Sequence, residues 1–188
     1  MNIYLNRITA EHPDCKPIKH LYKSAFPAEE RAPFWVLAGK SKEKYVDFLS
    51  VRSDEEFIGF VYIVNYRDLS YLFFFAVEEK FRGQGFGSCI LEKVRAKYSD
   101  RRLFLAIETL DKDADNYDMR VRRKNFYLRN GFKDLNCKIR EASMYYSALG
   151  TAGNIKDEEF KGLMNNYLGR FLSFFVKTGI YKENENEH

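Results

Sequence analysis

Cysteine, histidine and proline are all scarce in this chain, at three, three and four residues. Cys15, Cys89 and Cys137 are odd in number and far apart, which excludes a complete disulfide framework and any paired metal-ligand spacing. A reduced, cytoplasmic setting is therefore expected. His12, His20 and His188 are scattered, so neither a metal site nor a histidine-centred triad is expected. With 4 Pro and 11 Gly, the chain is not dominated by linkers or disorder. Long apolar runs are also missing. Leu72–Val77 is among the longest and falls far short of the ~20 residues that span a bilayer, so no membrane segment is expected. The first residues lack a basic stretch followed by an apolar one, so no signal peptide is expected. Excess charge is small as well. A net +4 suits an anionic small ligand but does not by itself support nucleic-acid binding.

What the chain does have is rings. Aromatics make up 16% of its 188 residues, with 17 Phe and 13 Tyr, and hydrophobic residues reach 45%. That is enough for one ring-rich core, with or without an appendage.

Periodicity gives the order of elements. Residues 2–9 read as a strand. Ile18, Leu21, Tyr22 and Ala25 give a helix over 14–25, with Asp14 as its cap. A second helix is expected over 29–38. Strands follow at 45–51, 57–66 and 70–77, the last almost wholly apolar and so buried on both faces. A helix over 86–98, a strand over 103–109, a polar loop over 111–118 and a helix over 119–129 come next. Asn130-Gly131 stops that helix, and strands near 132–139 and 142–148 complete the pattern. The 71–109 stretch is a βαβ crossover, so its strands should be parallel. Beyond a junction at 150–154, an apolar stripe from Phe160 to Phe175 predicts an amphipathic helix over 156–176, and the tail from Lys182 should fray. The fold class is α/β (α+β), and 150–188 is expected to be a helical extension packed on the 1–149 domain or on a second copy. The protein is accordingly expected to be a monomer or a homodimer.

The chemistry concentrates in Val77–Ser88, VEEKFRGQGFGS, where a strand hands over to a helix. A helix N-terminus offers unpaired N–H groups and partial positive charge. Gly83, Gly85 and Gly87 leave room for a bulky anion and permit the backbone conformations that turn amides toward it. The stretch reads as a pyrophosphate cradle, although a ligand-free tight turn uses glycine in the same way. It is not a Walker loop, because no Gly-Lys-Ser/Thr follows. It is not a Rossmann fingerprint either, because Gly87 comes one residue too early.

Arg82-Gly-Gln-Gly85-Phe-Gly87 matches the Arg/Gln-x-x-Gly-x-Gly/Ala motif of the GCN5-related N-acetyltransferase (GNAT) superfamily. Asn125-Phe-Tyr127-Leu-Arg-Asn-Gly131-Phe132 resembles the Tyr-x-x-x-Gly-Phe signature of the same superfamily. The resemblance covers roughly the first four-fifths of the chain and implies a mixed, mostly antiparallel sheet, with one parallel pair splayed at the cofactor site and helices on both faces. It implies acetyl-CoA as cosubstrate and no metal, bound by Ala76, Val77, Arg82, Gly83, Gln84, Gly85, Phe86, Gly87 and Ser88. It also implies a small-molecule or protein amine as acceptor. Many members carry Asn and Ala where this chain has Arg120 and Arg123.

Acetyl transfer to an amine needs a neutral amine. With a pKa near 10.4, only about one amine in a few thousand is neutral at pH 7. A base helps attack, and an acid protonates the leaving thiolate. Tyr127 occupies the position where the superfamily keeps its acid, and its alternative is ordinary helix packing. Glu108, a lone carboxylate ending the apolar run LFLAIE, is the candidate base, and an edge residue in water is the competing reading. The expected activity is acetyl transfer by direct attack. A non-catalytic acyl-CoA-binding sensor or partner module is the alternative.

Overall fold

The computed structural model describes residues 2–28, 31–141, 144–169 and 178–182. The chain forms two compact units, residues 1–65 with 72–97 and residues 66–71 with 98–188.

The first unit contains β1 (Tyr4–Arg7), α1 (Cys15–Ala25), α2 (Phe34–Lys40), β2 (Val46–Ser53), β3 (Glu56–Tyr66, up to Asn65), β4 from residue 72 to Val77, and α3 (Phe86–Lys97). β1 and β2 pair antiparallel, as do β2 and β3. α1 buries Ile18, Leu21 and Tyr22, the stripe anticipated from spacing. The rings make the core. Phe74 meets Tyr22 and Phe26 edge to face, both at 5.0 Å, and Phe48 stands edge to face against Phe60 and Tyr62. Such contacts add about 0.5–1.5 kcal/mol each beyond the area they bury. Gly59 lies against the Ala76 carbonyl so closely that a Cβ there would collide with backbone.

Two expectations need correction in this unit. The second helix runs over Phe34–Lys40, not 29–38, and residues 29–30 lie outside the described residues. Pro33 explains the shift, because the residue before a proline is pushed out of helical geometry. Asp14 stands at the N-cap of α1, but its side chain makes no cap hydrogen bond. It accepts instead from Ser50 Oγ at 2.5 Å and Arg52 Nη1 at 2.7 Å.

The second unit contains the start of β4 (Leu69–Val77, with residues 69–71 here), β5 (Arg102–Glu108), α4 (Tyr117–Arg129), β6 (Lys133–Glu141), β7 (Met144–Gly150), α5 (Asp157–Leu168) and β8 (Thr178–Lys182). β4 and β5 are parallel, paired at Leu69–Arg102, Ser70–Leu103 and Tyr71–Phe104. β5–β7, β6–β7 and β6–β8 are antiparallel. The full strand order is β1-β2-β3-β4-β5-β7-β6-β8. The mixed, mostly antiparallel sheet with one parallel pair is the predicted fold.

The described residues past 150 are woven into the second unit. Phe160, fully buried, stands edge-on to the stacked rings of Tyr71 and Phe104 at 5.9 and 6.3 Å. Arg102 binds Asp68 and Glu159 and donates to the Asn154 carbonyl at 2.6 Å. α5 stops at Leu168, before Gly169 at φ +81°, so it is shorter than the predicted 156–176. Phe171, Leu172 and Phe175 lie outside the described residues. β8, within a segment with no predicted strand, pairs with β6 from Thr178 to Lys182, and its Ile180 amide donates to Asp157 Oδ1 at 2.9 Å.

Candidate active site

In the first unit, β4 ends at Val77 and a single 3-10 turn, Glu79–Phe81, leads to the glycines. Gly83 and Gly85 have φ of +75° and +86°, the left-handed region that favours glycine. A Cβ at either would meet nothing within 4 Å, so the protein itself leaves that space open. The helical ladder of α3 begins where the Cys89 amide donates to the Gly85 carbonyl at 3.1 Å. Ahead of it, the amides of Gly85, Phe86, Gly87 and Ser88 have no backbone acceptor among the described residues. These are the donors an anion would take. Arg82 folds back, its Nε donating to the Val77 carbonyl at 2.9 Å, and Gln84 Nε2 donates to the Lys80 carbonyl at 2.6 Å. The arginine, itself exposed, thus braces the end of β4. Phe86 packs on Phe81 at 5.1 Å, which fixes the entry of the chain into α3.

In the second unit, Glu108 ends β5 opposite Tyr146 of β7. Both its oxygens are taken. Arg123 Nη1 donates to Oε2, Asn116 Nδ2 donates to Oε1 at 2.9 Å, and Arg120 Nε lies 3.6 Å from Oε1. Arg120 is held further by the Asn116 amide oxygen at 2.7 Å and the Thr109 carbonyl at 2.8 Å. Asn116 is the N-cap of α4, which begins at Tyr117 and not at residue 119. Sequence reasoning assigned no role to Asn116, Arg120 or Arg123. The available signal was two arginines one turn apart, on the helix that follows a lone strand-end glutamate.

Tyr127 lies one turn beyond Arg123 on α4. Its ring sits among Phe126 at 5.3 Å and Phe132 at 5.7 Å. The phenol makes no hydrogen bond among the described residues. Burial of its surroundings pushes the phenol up to about 12, opposed by the Arg123 charge. The helix ends in a Schellman motif. The Gly131 amide donates to the Leu128 carbonyl at 3.1 Å, and the Phe132 amide to the Tyr127 carbonyl at 3.2 Å, with Gly131 at φ +82°. The spacing Tyr-x-x-x-Gly-Phe is therefore a helix stop that clamps the tyrosine from below.

Residues 44–134 match the family model described as the acetyltransferase (GNAT) domain. A protein of Bacteroides thetaiotaomicron described as a GNAT-family acetyltransferase superposes with a TM-score of 0.69 at 21% identity, covering 90% of this chain and 98% of that one. The ribosomal-protein-S18-alanine N-acetyltransferase of Escherichia coli gives 0.60 at 16%, covering 84% and 97%. An aminoglycoside 6'-N-acetyltransferase complexed with coenzyme A gives 0.62 at 14%, covering 83% and 100%. A search of curated protein sequences finds no match. Residues 44–134 are thus similar to the acetyltransferase (GNAT) domain, and the fold is the one these solved GNAT-family acetyltransferases adopt.

Proposed function

We propose that the chain transfers the acetyl group of acetyl-CoA to a primary amine by direct attack of the amine on the thioester. The observation that carries this reading is the run of four unpartnered amides from Gly85 to Ser88, preceded by open glycines at positive φ. Their chemistry fits a pyrophosphate. Arg82, Gly83 and Gln84 complete the cradle, and the main chain of Ala76 and Val77 would border the thioester arm. Acetyl-CoA supplies the activated acyl group, so no metal or covalent intermediate is needed.

Tyr127 is the proposed acid. A protonated phenol with no other hydrogen bond among the described residues can give its proton to a departing thiolate. Glu108 is the proposed acceptor of the amine proton. Arg123 and Asn116 use two of the roughly four lone-pair positions of the carboxylate, with the Arg120 charge 3.6 Å away, leaving room for a water that relays the proton. Crowding at those oxygens also favours a second reading, in which the fold binds acyl-CoA as a sensor or partner module without turnover. The acceptor class is a small-molecule or protein amine, the classes named for the aminoglycoside and S18-alanine enzymes. Three free thiols support a cytoplasmic setting. Among the described residues no helix is long and apolar enough to cross a membrane.

Calorimetric titration with acetyl-CoA, followed by thiol release across an amine panel, tests the proposal. Amine-dependent release is expected. Tight binding with no release from any amine would leave the binding module as the function.

A further inference from the structure

Arg123 presents an unused bidentate edge. Only its Nη1 is engaged, by Glu108, while Nε and Nη2 have no partner among the described residues. Those two nitrogens lie on one side of the guanidinium plane, the geometry that matches a carboxylate with two parallel hydrogen bonds. The cluster also carries surplus charge. Arg120 and Arg123 share one carboxylate, Glu108, whose side chain is only 15% exposed, against 21% for Arg120 and 40% for Arg123. A half-buried guanidinium with spare donors is stabilised by a second anion. The loop before α4 offers Asp111, Asp113 and Asp115, and the first turn of α4 offers Asp118, yet none pairs with either arginine among the described residues.

Position makes the edge useful. Arg123 stands four residues before Tyr127, so both lie on one face of α4. Glu108, at the end of β5, holds Arg123, while Asn116 and the Thr109 carbonyl hold Arg120 beside it, and the β5 end is tied again where Thr109 Oγ1 donates to the Tyr145 carbonyl at 3.2 Å. The edge is thus anchored through Nη1, partly exposed and one turn from the proposed acid.

We infer that the Nε–Nη2 edge of Arg123 binds a carboxylate on the amine acceptor, so that the preferred acceptors are amino acids or compounds with a carboxylate close to the amine. This rests on the acetyltransferase reading for its use in turnover, but not for binding. Glu108 acts here as the positioning residue that holds the guanidinium, and Asn116 holds Glu108.

The test uses the full chain in two arms. In the first, free amino acids and their α-amides are titrated against the protein without acetyl-CoA, following arginine Nε–Hε resonances by NMR. Arg123→Lys assigns the Arg123 signal by its loss. Amino acids should shift that signal and amides should not, and equal shifts or none would overturn the inference. In the second arm, kcat/KM for acid over amide, referred to the neutral amine, should be roughly tenfold to a hundredfold, the scale of a charge-assisted pair. That ratio should collapse toward unity in Arg123→Lys, which keeps the charge and loses the fork. No turnover of either counts against the acetyltransferase reading and leaves the first arm to decide, whereas equal measurable rates for acid and amide would overturn the inference. So would a weaker acetyl-CoA Kd in the variant with the ratio unchanged, because the edge would then serve a CoA phosphate. If wild-type protein fails to bind acetyl-CoA, the first arm still decides the carboxylate site, and only the acetyltransferase reading falls.

Discussion

Phe132 locks Tyr127 in two ways at once: its amide donates to the Tyr127 carbonyl at 3.2 Å, and its ring meets the tyrosine ring edge to face at 5.7 Å. Both contacts depend on the left-handed turn at Gly131 between them. Gly131→Ala should destabilise the protein by about 1–2 kcal/mol, the cost of placing an L side chain in that region. Urea titration checks it. An unchanged midpoint would mean that the helix stop relaxes without cost.

Tyr127→Phe removes one hydroxyl and little volume. Turnover should fall roughly 10–10³-fold while acetyl-CoA affinity is held, the scale of losing a general acid with positioning intact. Full activity on the true acceptor across pH 6–9 would remove the residue from the mechanism.

The same residue predicts a pH effect on stability. The folded phenol is pushed from 10 to about 12 by burial. Below pH 10 it is protonated in both states and contributes nothing. Between about 10 and 12 the unfolded chain releases the proton first, so stability falls with rising pH, by at most roughly 1.4 kcal/mol per unit. Wild type should therefore lose stability relative to Tyr127→Phe only above pH 10. Parallel curves through pH 12 would contradict the assigned burial.

Gly85→Val tests the cradle. A Cβ at Gly85 meets no atom of the protein, so the fold should survive with local strain from φ +86°. Acetyl-CoA affinity should drop at least tenfold, because the branched side chain enters the space left for phosphates. Circular dichroism confirms the fold and calorimetry reads the affinity. A folded variant with wild-type affinity would sink the cradle.

Phe160→Ala should cost about 3–5 kcal/mol, the range for emptying a buried aromatic site, because Phe160 is fully buried against Tyr71 and Phe104. Truncation after Gly150 should go further and expose that stacked pair, giving aggregation. A soluble truncated monomer of equal stability would show that the segment is dispensable.

What the sequence revealed and what it hid divide along physical lines. The glycine turn, the parallel pair and the Gly131 stop were legible because backbone conformation restricts residue type at those positions. The Glu108 cluster was not, since its members are 8, 12 and 15 residues from the glutamate and meet only when α4 packs beside β5. Asp14 illustrates competition: a residue suited to capping its own helix is claimed by Ser50 and Arg52, which the chain brings in from β2. α5 ends at Gly169 although the apolar stripe continues, because periodicity reports a buried face and not where a helix terminates.

β8 closes one end of the strand order, where unpaired amides would invite another chain to add a strand. Asp157 occupies one of those donors, the Ile180 amide. Burial raises its pKa, but Lys161 and that amide lower it more, leaving its carboxyl below the usual value. The carboxylate therefore keeps its hold until the pH drops below the normal range for aspartate. This single side chain thus occupies one amide of the outermost strand, and acid would withdraw it.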